Sequence, residues 1–163
     1  MKILGIDPGT AVTGFGVIET GNDEPTFIEC GVLKPPARSS IGERLSFLYK
    51  GIMEIIGEFS PDVIAIEEPF VAKNARTALA IGRAQAVAIL SAANCSIPSF
   101  EYTPAQIKQR VTTYGASSKE QVQEMVRLQL GLDYTPEPDD AADALAVALC
   151  HIGETHINNL LRR

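Results

Sequence analysis

The stretch that most limits how this chain can fold is Val63-Ile64-Ala65-Ile66, apolar without alternation and closed by Glu67-Glu68-Pro69. A strand apolar on both sides must be covered on both sides, so it belongs inside a sheet with layers above and below. The residues before it supply a crossover. Leu45, Leu48, Ile52, Ile55, Ile56 and Phe59 recur at helical period. Ser40 and Glu43 have capping-box spacing, and Ser60-Pro61-Asp62 stops the helix. A helix that leads into an interior strand predicts a parallel pair.

The other elements follow from the same signals. Residues 2–7 form a short apolar run ended by Pro8-Gly9, a buried strand and a tight turn. Residues 13–19 and 26–33 read as two further strands, with Gly21-Asn22-Asp23 as the turn between them, and the three make an antiparallel meander. A long Ala-rich helix is expected over 72–93. A fifth strand is expected over 97–102, at or near an edge because of Pro98. Thr103-Pro104 opens a short helix as N-cap and N1. Two more helices are expected, from about 118 to 130 and from about 140 to 151. The order predicts an α/β fold with a five-stranded mixed sheet, helices on both faces, and a single domain over 1–163.

Charge is unevenly distributed. The formal net charge is −6, but Lys73, Arg76, Arg83, Lys108, Arg110, Lys119 and Arg127 make the middle of the chain basic between two acidic ends. That pattern fits an enzyme with a local phosphate-binding surface, and equally a protein with one solvated basic helix. No run approaches the roughly 20 apolar residues of a membrane span. The N-terminus is too quickly interrupted by Asp7 for a signal peptide, so a cytoplasmic protein without membrane association is expected. Cys30, Cys95 and Cys150 lack metal or redox spacing and read as reduced thiols.

Asp7, Glu67, Asp140 and Asp143 stand at telling places. Asp7 and Glu67 end two strands, and if those strands are neighbours both side chains lie at one edge of the sheet. Asp140 and Asp143 are three apart on the last helix, and Val147 continues their face inward. Inward carboxylates are costly unless compensated, and a divalent ion is the natural compensation. Hard oxygen donors suit Mg²⁺ or Mn²⁺, and two such ions can clamp a phosphoryl displacement. Each acid also has a plainer reading. Asp7 can close an Asx-turn, Glu67-Glu68 can be a solvated strand end, and Asp139-Asp140 can cap a helix. His151 lies too far along its helix to join the same ion, and His156 reads as surface.

With these residues assembled, the chain resembles the RuvC family of bacterial Holliday junction resolvases. The resemblance rests on Gly5-Ile6-Asp7-Pro8-Gly9-Thr10 with Thr13-Gly14-Phe15-Gly16-Val17-Ile18, and on Ala65-Ile66-Glu67. It continues through Phe70 with Ala72-Lys73-Asn74-Ala75, Lys108-Gln109, and Asp140-Ala141-Ala142-Asp143-Ala144-Leu145-Ala146. The order holds from about residue 1 to 152. The resemblance implies a ribonuclease H-like fold and a homodimer that makes paired symmetric nicks in a four-way DNA junction. It implies Mg²⁺ or Mn²⁺, two ions per site, and work in recombination and DNA repair beside a RuvA–RuvB branch-migration complex. It assigns catalysis and metal ligation to Asp7, Glu67, Asp140 and Asp143, choosing Glu67 over Glu68 and Asp140 over Asp139. It assigns DNA contacts to Phe70, a stacking aromatic, and to Lys73, Asn74, Arg76, Lys108 and Lys119. The long helix supports a dimer on its own terms: Ala75, Leu79, Gly82, Ala86, Ile89 and Ala93 form a seam of mostly small residues that lets two helices approach closely, although the same seam can also pack against the chain's own sheet.

Two other classes share parts of this pattern. Actin-like ATPases and sugar kinases also open on a Gly-Ile-Asp-x-Gly-Thr strand, but they need two such domains. A catalytically silent DNA-binding module of the same fold would gain nothing from four inward carboxylates facing a polyanion.

Overall fold

The computed structural model describes residues 1–21, 24–69 and 74–161. Five strands make one sheet: β1 (Lys2–Asp7), β2 (Thr13–Thr20), β3 (Pro25–Leu33), β4 (Val63–Glu67) and β5 (Ser99–Tyr102). Their order across the sheet is β3-β2-β1-β4-β5. β1 pairs antiparallel with β2 and parallel with β4, and β4 pairs parallel with β5, so the sheet is mixed as expected. β5 is an edge strand, where Pro98 can precede it without breaking a ladder.

Helix α1 (Ile41–Phe59) begins at the expected capping box: the Ser40 side chain accepts from the Glu43 amide, and Glu43 accepts from the Ser40 amide. Helix α2 (Ala75–Asn94) is capped by Asn74, whose side-chain oxygen accepts from the Arg76 and Thr77 amides. That cap starts the helix later than its alanine content suggested, since composition does not mark a start but a cap does. α3 (Pro104–Thr112) and α4 (Lys119–Gln129) carry the capping boxes of Thr103 and Ser118. α5 (Asp139–Leu161) continues well beyond His151.

The helices form two layers. Leu4, Ile6, Val17, Ile64 and Ile66 face α1 and α2, where Ile52, Ile56, Ala88 and Ala92 meet them. Ile3, Ile18, Val63 and Ala65 face α5, α3 and α4, where Leu145, Ala148, Ile107 and Val126 meet them. Alternation along each strand assigns the faces. The fully buried Ile and Leu side chains of the two clusters each stabilise the fold by roughly 1.5–3 kcal/mol.

α5 approaches the sheet at glycines. A Cβ on Gly5 would overlap the backbone of Ala144 and Ala148, one on Gly14 the backbone of Asp140, and one on Gly16 the Leu145 side chain. Gly5 and Gly16 are register partners, and Gly14 is the partner of Asp7. These missing side chains let the first turns of α5 lie directly on the centre of the sheet.

Cys150 is buried, Cys30 and Cys95 are partly buried, and all three are free thiols. No helix among the described residues is long and apolar enough to cross a membrane.

Candidate active site

Alternation decides where the first two acids point. Ile3 and Gly5 face α5, so Asp7, two residues further, faces it too. Val63 and Ala65 face the same layer, and so does Glu67. Register then brings the pair together. Ile6 stands opposite Ile66, so Asp7 and Glu67 are neighbours at the carboxyl ends of the two central strands. Their carboxyl groups are hydrogen-bonded to each other.

α5 delivers the other two. The contact of Gly14 with the Asp140 backbone seats the first turn of α5 beside Asp7. Asp140 and Asp143 then share a helix face, and both raise the electrostatic cost of a charge on Asp7. Burial, with Glu67 and then Asp143 as neighbouring negative charges, pushes the Asp7 carboxyl up to about 8. Burial raises Glu67 as well, partly offset by the hydrogen bond to Asp7. Asp143 is raised by burial against the pull of Lys119. Asp7, Glu67 and Asp143, crowded at one sheet edge, thus resist carrying their charges together.

Two lysines border the cluster. Lys119, the first residue of α4, places its ammonium 3.0 Å from Asp143 and 3.3 Å from Asp139. Partial burial alone would weaken its charged form, but Asp143 and Asp139 more than offset this and raise its pKa. Lys108 on α3 and Lys119 flank a cavity of ≈ 240 Å³ that also opens on Glu67 and Asp143 and is floored by Ile107 and Val122. Among the described residues, no three acidic, imidazole or thiol groups yet surround a common point that would hold an ion. Asp7 and Glu67 are paired with each other, and Asp143 is taken by Lys119.

The remaining sequence-predicted contacts lie elsewhere. Phe70 and Lys73 fall outside the described residues. Asn74 spends its side-chain oxygen on capping α2, and Arg76 is exposed in the first turn of that helix. Two features escaped sequence reasoning. Asp139 was readable as a cap, yet it sits in the first turn of α5 and contacts Lys119. Its spacing of four from Asp143 was the available signal. The second is a buried pair remote in sequence, Tyr102 Oη and His151 Nδ1, 2.7 Å apart.

A mixed sheet whose two adjacent parallel strands β1 and β4 end in neighbouring acids, overlain by a helix bringing two more, defines a ribonuclease H-like α/β fold with a carboxylate cluster at one sheet edge. The sequence matches the family model of crossover junction endodeoxyribonuclease RuvC over residues 3–151. It is 56% identical over 161 residues to the crossover junction endodeoxyribonuclease RuvC of Dehalococcoides mccartyi, covering 99% of this chain and 96% of that protein. The structure is similar to that of Thermus thermophilus RuvC in complex with a Holliday junction substrate (TM-score 0.91, 32% identity, 97% of this chain and 96% of that one). The yeast mitochondrial Holliday junction resolvase Ydc2 shares the fold at 14% identity (TM-score 0.66, 98% of this chain and 84% of that one). The chain belongs to the RuvC family of crossover junction endodeoxyribonucleases.

Proposed function

We propose that this chain resolves four-way DNA junctions by paired phosphodiester hydrolysis, with Asp7, Glu67, Asp140 and Asp143 as its catalytic and metal-ligating residues. The observation that carries this reading is the hydrogen-bonded Asp7–Glu67 pair facing Asp143. Carboxylates forced together at this cost are what a divalent cation relieves, and an all-oxygen donor set suits Mg²⁺, with Mn²⁺ as substitute and two ions per site. Bound there, the ions would supply an activated water and neutralise charge on the scissile phosphate and the departing 3′-oxygen.

The chain's own residues do the rest. Lys108 and Lys119 hold the phosphate over the acids from the two walls of the cavity. Phe70, Lys73 and the N-cap Asn74, with Arg76 in the first turn of α2, contact the junction, and Phe70 stacks on a base. The seam of α2 supports a homodimer. Ala75, Leu79, Ala86 and Ala93 are exposed, Gly82 and Ile89 are partly so, and open space lies where a Gly82 side chain would be. The apolar contact of α2 with its own chain uses Ala84, Ala88 and Ala92, and of the seam residues only Ile89 packs against that cluster. A two-fold dimer presents two identical sites, the geometry for nicking two strands of like polarity. Receiving the junction from a RuvA–RuvB complex belongs to the same reading.

The test is cleavage of a synthetic four-way junction by the purified protein across a Mg²⁺ titration. Symmetric paired nicks that need Mg²⁺, and that disappear in Asp7→Asn while junction binding persists, are expected. Normal cutting by Asp7→Asn would remove the carboxylate assignment.

A further inference from the structure

Lys119 is shared. Its ammonium bridges two carboxylates of α5 that lie one helical turn apart, Asp143 at 3.0 Å and Asp139 at 3.3 Å. The two partners differ in setting. The Asp143 side chain is 26% exposed and turned toward the cluster, and that of Asp139 is 68% exposed. The backbone of Lys119 has little freedom, because the preceding residue, Ser118, closes a capping box with Gln121. Only the flexible lysine stem can redistribute the charge between the two acids. Glu67 also feels the Lys119 charge, and Glu120 feels Asp139.

An ion that takes Asp143 must displace this lysine. Without a second partner, the ammonium would give up its ion pair at the edge of a partly buried cavity, and lysine and ion would compete for one carboxylate. With Asp139 present, a shift of the ammonium keeps one ion pair intact and leaves the charge beside the cavity that Lys108 also lines. We propose that Asp139 is a positioning residue for Lys119: it receives the ammonium when a divalent ion draws Asp143 into the cluster, and so eases ion entry. This rests on the reading of Asp143 as a metal ligand.

A thermodynamic cycle on ion affinity separates this role from a simple charge effect. Mn²⁺ alone is titrated into the full-length protein without DNA, and bound ion is followed by loss of the free-ion electron paramagnetic resonance signal. Asp139→Asn is expected to weaken Mn²⁺ binding about threefold to fivefold, the scale of one partly exposed ion pair. In a Lys119→Met background, Asp139→Asn is expected to change the affinity less than about twofold, because no lysine needs a second partner. Equal weakening in both backgrounds would mean that Asp139 attracts the ion directly, and would overturn the proposal while leaving the metal site standing. No weakening in either background would also overturn it. Absence of any Mn²⁺ binding by the unaltered protein would instead overturn the metal reading, and this proposal with it. Circular dichroism melts of each variant show whether the fold is retained.

Discussion

The carboxyl groups of Asp7 and Glu67 share a hydrogen bond across the join of two parallel strands, and burial with this neighbour pushes Asp7 up to about 8. The consequence for stability has a definite sign. In the unfolded chain Asp7 loses its proton near its ordinary value of 3.8. The folded, ion-free protein keeps that proton until about 8. The folded state therefore binds more protons across this window, and stability falls as pH rises through it. Asp7→Asn removes the effect. With chelator present, its melting temperature should exceed that of the parent by about 5 °C at pH 8 and by less at pH 5. A difference independent of pH would contradict the shared-proton arrangement.

Gly14 holds α5 against β2 where a side chain would overlap the Asp140 backbone. Gly14→Ala should destabilise the fold by about 2–3 kcal/mol. It should also depress cleavage beyond what the lost stability explains, because Asp140 and Asp143 are carried on the displaced turn. Denaturant titration beside cleavage assays at low temperature tests this. Full activity with unchanged stability would show that α5 tolerates the shift.

Lys108 borders the cavity that opens on Glu67 and Asp143. Lys108→Ala should slow single-turnover cleavage by about 100-fold and weaken junction binding far less. Equal losses in rate and affinity would reduce Lys108 to a docking contact.

His151 is buried 2.7 Å from the Tyr102 hydroxyl, with the Phe100 ring centroid 4.9 Å from its own. Burial lowers its pKa below the ordinary 6.5. The unfolded chain takes up the proton more readily, so this contribution to stability is complete above about 6.5 and is lost as pH falls toward the folded-state value. His151→Gln keeps a polar partner for Tyr102 and cannot titrate. Its melting temperature should fall less between pH 7 and pH 5 than that of the parent, and parallel curves would exclude His151 as a source of acid sensitivity.

The exposed α2 seam predicts a self-association surface. Ala86→Glu should convert a dimer to a monomer in sedimentation equilibrium. The change lies on an exposed position, so the stability of each chain should stay within about 0.5 kcal/mol. Paired nicks should give way to single ones. A dimer that survives the substitution would move the interface elsewhere.

Much of the fold was legible because local chemistry and global need agreed. Val63–Ile66 reads as an interior strand and is one, and the capping box at Ser40 and the N-cap Thr103 start their helices as read. The start of α2 was less legible, since alanine favours helix throughout and only Asn74 marks its beginning. The reach of α5 past His151 was missed because His156, Asn158 and Asn159 carry no strong helical pattern of their own.

The site divides along a similar line. The sequence by itself determined which carboxylates exist and which face of its element each occupies, because periods of two and 3.6 follow from backbone geometry. It also carried the family motif around them. Only the tertiary structure decided that β1 and β4 are adjacent and in register, that glycines on β1 and β2 let α5 descend onto them, and that Lys119 reaches both Asp143 and Asp139. Those relations join residues more than 50 positions apart for Asp7 and Glu67, and about 20 for Lys119 and its acids. The physical reason is that periodicity orients a side chain about its own strand or helix, whereas the distance between two carboxylates depends on how separate elements pack.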